Sequence, residues 1–378
     1  MNRTNILQRI KQQLRQEAVL LIAALGAAIS MFWLPPSSAY WDYIDLQVLC
    51  LLFVLMLVIA GLQSCNVFQI LAEKTLAHCN NLRSLAILLL LLPFFTAMFI
   101  TNDVALITFV PFTILIFRKI GRQNQLIWQL TLQTIAANLG SMATPVGNPQ
   151  NLFLFAHYHL HFKDFFIATL PYTMLSLIFL LLLAVRFQPT PVQIRFQTAP
   201  VLEQPRHLLI YIVCFLLCIL MVFHLLPYGP TTVGIVVICF MCNKKLFQQV
   251  DYGLLLTFVC FFIFAGNLSR IPAVHQLLSA LLKQAPFLTA VGASQIISNV
   301  PAAVLLAQIT TAWQPLLLGV NIGGLGTLVA SLASLITFRY YLKTENARPG
   351  HYLWLFSLAN LAGLVLLSLC YLLLSFIM

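Results

Sequence analysis

Two polar triplets interrupt long apolar stretches of this chain, Thr101-Asn102-Asp103 and Ser298-Asn299-Val300. A second polar pattern follows each of them. Residues 138–146 read Asn-Leu-Gly-Ser-Met-Ala-Thr-Pro-Val, and residues 321–329 read Asn-Ile-Gly-Gly-Leu-Gly-Thr-Leu-Val. Amide, hydroxyl and unpaired carbonyl oxygens are hard ligands that suit a small cation such as Na+, and unpaired N–H groups suit an anion. The repeated combination predicts an ion-binding site inside apolar surroundings.

The second pattern is typical of an interrupted helix in segment 126–155. Gly140 and Ser141 weaken the helix, and Pro145 removes a backbone donor. The run Gly147-Asn148-Pro149 then restarts it, because Asn is a good cap and Pro is favoured at the first helical position. The predicted result is two half-helices with unwound backbone between them.

Segment 315–338 follows the same plan. Three glycines replace the prolines, and Ser331 and Ser334 stand where the first copy has Asn148 and Asn151. Unpaired carbonyls at such a break can coordinate a cation. The N-terminus of the second half-helix carries partial positive charge that suits an anion.

We therefore expect the triplets and the breaks to form one substrate- and ion-binding site, with no metal beyond Na+ at the triplets. Its candidate residues are Thr101, Asn102, Asp103, Asn138, Gly140, Ser141, Thr144, Gly147, Asn148, Asn151, Ser298, Asn299, Asn321, Gly323, Gly324, Thr327 and Ser331. Asp103 is the one carboxylate that we place deep in the membrane, so it is either a cation ligand, a proton carrier or a helix cap. Both motifs lack Arg and Lys, so helix dipoles and neutral donors would hold an anion.

The composition is that of a membrane protein. The chain has 378 residues, of which 61% are hydrophobic and 8% charged, whereas a soluble domain carries about 25% charged residues. The net charge of +11 lies in short loops between apolar stretches, which is typical of topology determinants and not of a nucleic-acid surface. The sequence has no Walker loop, dinucleotide fingerprint or nucleophile elbow. We expect a protein of the lipid bilayer that is not an enzyme and needs no cofactor besides Na+ or H+ as coupling ion.

Nine transmembrane spans are predicted, at residues 17–34, 45–63, 126–155, 164–186, 207–225, 230–243, 252–268, 315–338 and 352–375. The stretches with the triplets, 84–117 and 286–309, are interpreted as re-entrant hairpins, because isolated Asn and Asp are costly facing lipid. If 84–117 instead crossed the membrane twice in full, the loops before and after it would lie on the same sides of the membrane as with a hairpin. The spans then place 17 of the 20 Lys and Arg residues on one side. That side is cytoplasmic by the positive-inside rule, so the N-terminus lies inside and the C-terminus outside the cell (plasma or inner) membrane.

The spans fall into two halves of the same plan. Residues 1–186 form the first repeat and residues 230–378 the second, with residues 187–229 as a linker and a connecting helix. Because the connecting helix crosses the membrane, the second repeat has inverted topology. The predicted fold is an all-α polytopic membrane protein with about nine transmembrane helices, two re-entrant hairpins and two broken helices.

These motifs resemble the ion transporter superfamily, which includes arsenite permeases, related Na+/H+ antiporters and citrate/dicarboxylate–sodium symporters. The resemblance rests on residues 99–105 (Phe-Ile-Thr-Asn-Asp-Val-Ala), 144–151 (Thr-Pro-Val-Gly-Asn-Pro-Gln-Asn), 294–301 and 321–334, and it covers nearly the whole chain. The chain looks most similar to a small bacterial branch of citrate-transporter-like anion permeases.

The resemblance implies a central site between two hairpins and two broken helices, in a homodimer with elevator-like motion. In the dicarboxylate symporters, Ser-Asn-Thr triplets bind substrate carboxylates beside sodium. Here each Asn is kept but its neighbours differ, and Asp103 brings negative charge where a carboxylate would dock. The first triplet is closer to the Asn-Asp of arsenite permeases.

The main hypothesis is a secondary active transporter of a small inorganic or organic anion, coupled to Na+ or H+ by alternating access. One alternative is a Na+/H+ antiporter. The other is an arsenite-type efflux permease, for which an accessory ATPase would be a partner.

Overall fold

The computed structural model describes residues 18–38, 40–76, 79–192 and 202–377, and this part of the chain folds into α-helices joined by short loops. The helices of the first half are α1 (Ala18–Ser30), α2 (Tyr40–Tyr43), α3 (Leu46–Ser64), α4 (Val67–Leu76), α5 (Leu82–Ile100), α6 (Asn102–Lys119), α7 (Leu126–Ser141), α8 (Pro149–His157) and α9 (Phe162–Ala184).

The described part of the second half also consists of α-helices and short connections. Its helices are α10 (Pro205–Val222), α11 (Tyr228–Cys242), α12 (Tyr252–Arg270), α13 (Pro272–Gln284), α14 (Pro286–Ile297), α15 (Asn299–Ala307), α16 (Trp313–Ile322), α17 (Leu332–Leu342) and α18 (Pro349–Ile377). Single 3-10 turns at Gln123–Gln125 and Lys244–Gln248 precede α7 and α12.

Side-chain caps explain where several helices begin. The carboxylate of Asp45 accepts a hydrogen bond from the N–H of Val48 (3.0 Å) at the start of α3, and Asp251 accepts one from Leu254 (2.9 Å) at the start of α12. Each cap satisfies one of the backbone donors that a helix leaves free at its first turn. Both aspartates are therefore N-caps of their helices.

Among the described residues, six helices are long and apolar enough to cross a membrane: Leu46–Ser64, Leu82–Ile100, Phe162–Ala184, Pro205–Val222, Tyr252–Arg270 and Pro349–Ser375. Five of them coincide with predicted spans, and Leu82–Ile100 is the first arm of the stretch 84–117. Shorter apolar helices lie at Leu20–Ser30, Tyr228–Cys242 and Pro286–Ile297. The chain is therefore a helical, multi-pass membrane protein.

The helices pack in two groups. In one group α1 packs on α12, and α3 packs on α10 and α11; in the other, α5 to α9 pack with α14 to α18. The groups meet where α12 contacts α15 and where α3 contacts α8. Both polar triplets and both predicted breaks lie in the second group, so a single bundle of helices carries the whole candidate site.

Candidate functional site

Each polar triplet lies at a sharp turn between two helices. Thr101 separates α5 from α6 with φ 71° and ψ 150°, and Ser298 separates α14 from α15 with φ 74° and ψ 156°. Residues other than glycine rarely hold this conformation, which costs of order 1–3 kcal/mol. The same strained conformation therefore occurs at both turns, which we call the tips.

The helix interruptions lie where the sequence predicts them. Residues 142–148 separate α7 from α8, and residues 323–331 separate α16 from α17. At the first break, Oδ1 of Asn148 accepts from the N–H of Asn151 (2.9 Å), and Pro149 begins α8. Asn148 is thus the cap that the sequence predicts.

Backbone hydrogen bonds join each tip to one break. The N–H of Asn102 donates to the carbonyl of Gly147, and the N–H of Asn299 donates to the carbonyl of Ala330, both at 3.0 Å. In each break the accepting carbonyl belongs to the residue just before the N-cap of the second half-helix, which is Asn148 or Ser331. The two halves therefore build the same junction.

A threonine hydroxyl adds a second bond to each junction. Thr144 donates to the carbonyl of Met98, and Thr327 donates to the carbonyl of Gln295 (3.5 Å). Both carbonyls lie three residues before the strained tip residue. The matched pairs extend the likeness of the two halves from the sequence pattern to side-chain contacts.

Glycine at the breaks permits this close packing. A Cβ at Gly140 would overlap the carbonyl oxygen of Phe94 and lie 2.8 Å from its carbonyl carbon. A Cβ at Gly323 would lie 2.9 Å from Cβ of Ser294. The first arm of each hairpin consequently packs directly against the end of a half-helix, α5 on α7 and α14 on α16.

Two buried asparagines connect the halves. Oδ1 of Asn138 on α7 accepts from the hydroxyl of Ser331 (3.2 Å), and Oδ1 of Asn321 on α16 accepts from Nδ2 of Asn148 (3.0 Å). In both cases an asparagine of a first half-helix binds the residue that precedes the second half-helix of the other half. The contact fixes the two breaks side by side.

Further amide bonds draw the first tip into this network. Nδ2 of Asn102 donates to Oδ1 of Asn138 (3.0 Å), and Nδ2 of Asn321 donates to Oδ1 of Asn151 (2.6 Å). All four side chains are buried. Such a network is stable in a low-dielectric interior only when its members are hydrogen-bonded.

One site residue is absent from the candidates that the sequence provides. Nε2 of Gln295 donates to the carbonyls of Gly323 (2.6 Å) and Leu325 (3.0 Å), and its Oε1 accepts from the N–H of Thr327 (3.0 Å). The available signal was a polar residue within an apolar arm, at the position that Met98 occupies in the first half. Gln295 thereby binds the unwound backbone of the second break.

At the first break, Asn151 binds the unwound backbone in the way that Gln295 does at the second. Nδ2 of Asn151, on α8, donates to the carbonyls of Ser141 (3.2 Å) and Thr144 (3.1 Å). Ser334 stands at the matching position of the second half, and its buried hydroxyl has no partner among the described residues. The amide that binds the break therefore comes from α8 in one half and from the hairpin arm in the other.

Two buried polar atoms of the site have no hydrogen-bond partner in the described part of the chain, Nδ2 of Asn138 and Oδ1 of Asp103. The first is a donor that an anion could use, and the second is an acceptor for a cation or a proton. Asp103 lies inside the first turn of α6, where the residue before the helix makes no side-chain cap. The structure thus gives no support to Asp103 as a cap.

The sequence pattern of the family described as citrate transporter matches residues 10–319. The chain belongs to the citrate transporter family. The uncharacterized transporter MJ0456 of Methanocaldococcus jannaschii is 30% identical over 349 residues, which are 92% of this chain and 95% of that relative. Inner membrane protein YbiR of Escherichia coli is 31% identical over 327 residues, 84% of this chain and 86% of its own length.

A third relative has a name that states what it transports. The silicon efflux transporter LSI3 of Oryza sativa subsp. japonica is 28% identical over 152 residues, 39% of this chain and 30% of its own length. The family and these relatives establish a membrane transporter. The ion transporter resemblance of the motifs is confirmed.

In this citrate transporter family member, most predicted site residues lie together and are buried. Those with buried side chains or backbone are Asn102, Asn138, Gly140, Ser141, Gly147, Asn148, Asn151, Ser298, Asn299, Asn321, Gly323, Gly324 and Ser331. Thr101, Asp103 and Thr144 are half-buried, and Thr327 is exposed. Within the described ranges, no group of three or more His, Cys, Asp or Glu side chains is placed to hold a metal ion.

Proposed function

We propose that this protein is a secondary active transporter of a small anion, coupled to Na+ or H+ and working by alternating access. The observation that carries the proposal is the matched pair of junctions, in which two strained tips and two helix breaks meet through buried asparagines. Helix starts at α8 and α17 and the free Nδ2 of Asn138 offer neutral donors to an anion. Broken helices at the middle of a bundle are the usual binding sites of secondary transporters.

The topology that we propose for this function has nine spans, two re-entrant hairpins and two inverted repeats, with the N-terminus cytoplasmic. Matched hydrogen bonds in both halves support the repeats. The two helix groups support alternating access, because the candidate site lies in one group and meets the other mainly along α3 and α12. We propose that this group moves against the other, in a homodimer as the family resemblance implies.

For the substrate, we propose a small inorganic or organic anion with few negative charges. The family name points to carboxylates, but Asp103 lies at the first tip and would repel a carboxylate that docks there. The similarity to a transporter named for silicon efflux favours a second candidate, an arsenite-type efflux permease. The unpartnered oxygen of Asp103 favours a third, a Na+/H+ antiporter.

The test is uptake by purified protein in proteoliposomes that contain no ATPase. A panel of citrate, succinate, sulfate, phosphate and arsenite is offered with a Na+ gradient, a pH gradient or neither. Asn102→Ala and Asn299→Ala should abolish uptake of whichever anion is carried while the protein still inserts. Asn360→Ala is the matched control, because Asn360 is a buried asparagine that donates to the carbonyl of Phe356 in its own helix.

Wild-type uptake by both tip variants would refute the proposed site. Proton movement driven by Na+ without any anion would favour the antiporter. Transport that appears only with an added ATPase would favour the efflux permease.

A further inference from the structure

We propose that Gln295 and Asn151 place amide N–H groups where the carbonyls of the two helix breaks would otherwise hold sodium ions, so that transport does not require Na+ at either break. This inference rests on the proposed function, and it leaves the carboxylate of Asp103 as the group that would take the coupling ion. Na+ at the breaks is what the sequence pattern predicts, since unwound carbonyls suit a cation. The residues present do not fit such an ion.

At the second break, the carbonyls already have a donor. Nε2 of Gln295 lies 2.6 Å from the oxygen of Gly323 and 3.0 Å from that of Leu325. Both hydrogen bonds converge on this nitrogen, so it fills the position from which a cation would contact both oxygens. Sodium could bind there only after the side chain has left.

The orientation of the Gln295 amide is fixed by a third bond. Its Oε1 accepts from the N–H of Thr327 (3.0 Å), which is a donor only, so the opposite nitrogen must face the two carbonyls. The backbone is shaped around the amide, because Gly326 has φ 101° and a Cβ there would lie 3.0 Å from Cδ of Gln295. The contact is therefore a built part of the break.

The first break is closed in the same way by Asn151. Its Nδ2 donates to the carbonyls of Ser141 (3.2 Å) and Thr144 (3.1 Å), and the side chain is fully buried. Its Oδ1 accepts from Nδ2 of Asn321 (2.6 Å), which again fixes the nitrogen toward the carbonyls. An amide has the donor hydrogens that these oxygens need and carries no net charge.

Two further break carbonyls, which contact the tips, also have partners. Those of Gly147 and Ala330 accept from the backbone N–H groups of Asn102 and Asn299. The carbonyls of Ser141, Thr144 and Gly147 at the first junction, and of Gly323, Leu325 and Ala330 at the second, are thus used by protein donors. Hydrogen-bond satisfaction by neutral groups replaces ion binding.

The experiment compares thermal unfolding of the purified protein in equal concentrations of NaCl, LiCl, KCl and choline chloride, with no substrate present. The wild type should show the same Tm in all four salts. Gln295→Ala frees two carbonyls, so it should lose stability in choline chloride and recover part of the loss in NaCl. Gln308→Ala is the matched control, because Gln308 is an exposed glutamine beyond the end of α15, in the same hairpin.

Gln295→Glu gives a second test, because it keeps the size of the side chain and leaves no cavity as Gln295→Ala does. It places a carboxylate oxygen against the two carbonyls, so the variant should need Na+ or acid to regain stability. Asn151→Asp should behave alike at the first break. If Gln295→Ala does not fold, these two variants still decide the question.

A wild-type Tm that rises in NaCl but not in KCl or choline chloride would overturn the inference, as would a Gln295→Glu variant indifferent to both Na+ and pH. Anion uptake that requires Na+ both in the wild type and in Asp103→Asn would also overturn it and would leave the proposed function standing. A complete lack of anion uptake would refute the proposed function and leave the salt result valid.

Discussion

Replacing Gly140 by Ala tests the packing on which the first junction depends. In a helix interior this change normally stabilises a protein by about 0.5–1 kcal/mol, because Gly loses more backbone entropy on folding. At Gly140 the new Cβ would overlap the carbonyl oxygen of Phe94 and stand 2.8 Å and 2.9 Å from its carbonyl carbon and Cα. These are backbone atoms of a buried helix, and they can move only with the whole hairpin arm.

The expected cost is that of overpacking a core, about 1–3 kcal/mol and occasionally more. It exceeds the gain in helix propensity, so Gly140→Ala should unfold at a lower temperature than the wild type. The matched control is Gly292→Ala within α14, where a Cβ meets nothing within 4 Å and only the propensity gain remains. Its Tm should rise.

Gly323→Ala is the counterpart in the second half. Its Cβ would lie 2.6 Å from the carbonyl oxygen of Gly319 and 2.9 Å from Cβ of Ser294. We expect a loss of stability there as well. The assay is thermal unfolding of the three purified variants in one detergent, followed by tryptophan fluorescence. A Tm for Gly140→Ala as high as that of Gly292→Ala would show that α5 does not contact α7 as described.

Three other perturbations test separate parts of the site and its surroundings. Asp103→Asn should remove proton flux driven by a Na+ or anion gradient, measured with a pH-sensitive dye, because an amide cannot carry the proton; unchanged flux excludes Asp103 as the carrier. Ser298→Gly should raise the free energy of unfolding by about 1 kcal/mol through relief of the positive φ but slow uptake, since the hydroxyl bonds of Ser298 are lost; a lower Tm would contradict the strain argument. Burial lowers the pKa of His224, and His159 and His161 lower it further, so the folded state resists protonation and stability should fall as the pH drops below about 6.5. His224→Gln should flatten that part of the Tm-against-pH curve.

Local sequence was sufficient to predict the junction elements. Pro145, Pro149 and the cap residue Asn148 determine the first break through backbone geometry and a hydrogen bond three residues away, and these rules are local. The tips were recognisable because a polar triplet inside an apolar stretch has few other uses in a membrane. For these features the structure lies within a few residues of the prediction.

Contacts between the halves could not be predicted in the same way. The bonds of Asn138 with Ser331 and of Asn148 with Asn321 join residues more than 170 positions apart. Each pattern shows that an asparagine is available, but its partner depends on how the two halves of the chain pack against each other. The role of Gln295 depends on packing in the same way, because its acceptors lie 28 and 30 residues further along the chain.

The different origin of the two amides makes the junctions unequal. In the second half, the amide belongs to the hairpin arm, so Gln295 adds three bonds between hairpin and break, and the hydroxyl of Ser298 adds another to Ala330 (3.3 Å).

In the first half, the amide of Asn151 belongs to α8 and closes its own break, so the hairpin is held there by Asn102 and by the bond of Thr144 to Met98. Separation of the first tip from its break therefore breaks fewer hydrogen bonds and leaves the carbonyls of Ser141 and Thr144 satisfied by Asn151. The second tip cannot separate without exposing the carbonyls that Gln295 holds, which costs about 1–3 kcal/mol for each one left unpaired. The two junctions of an otherwise matched site are thus expected to differ in stability, and the tip that carries Asp103 is expected to separate from its break more easily.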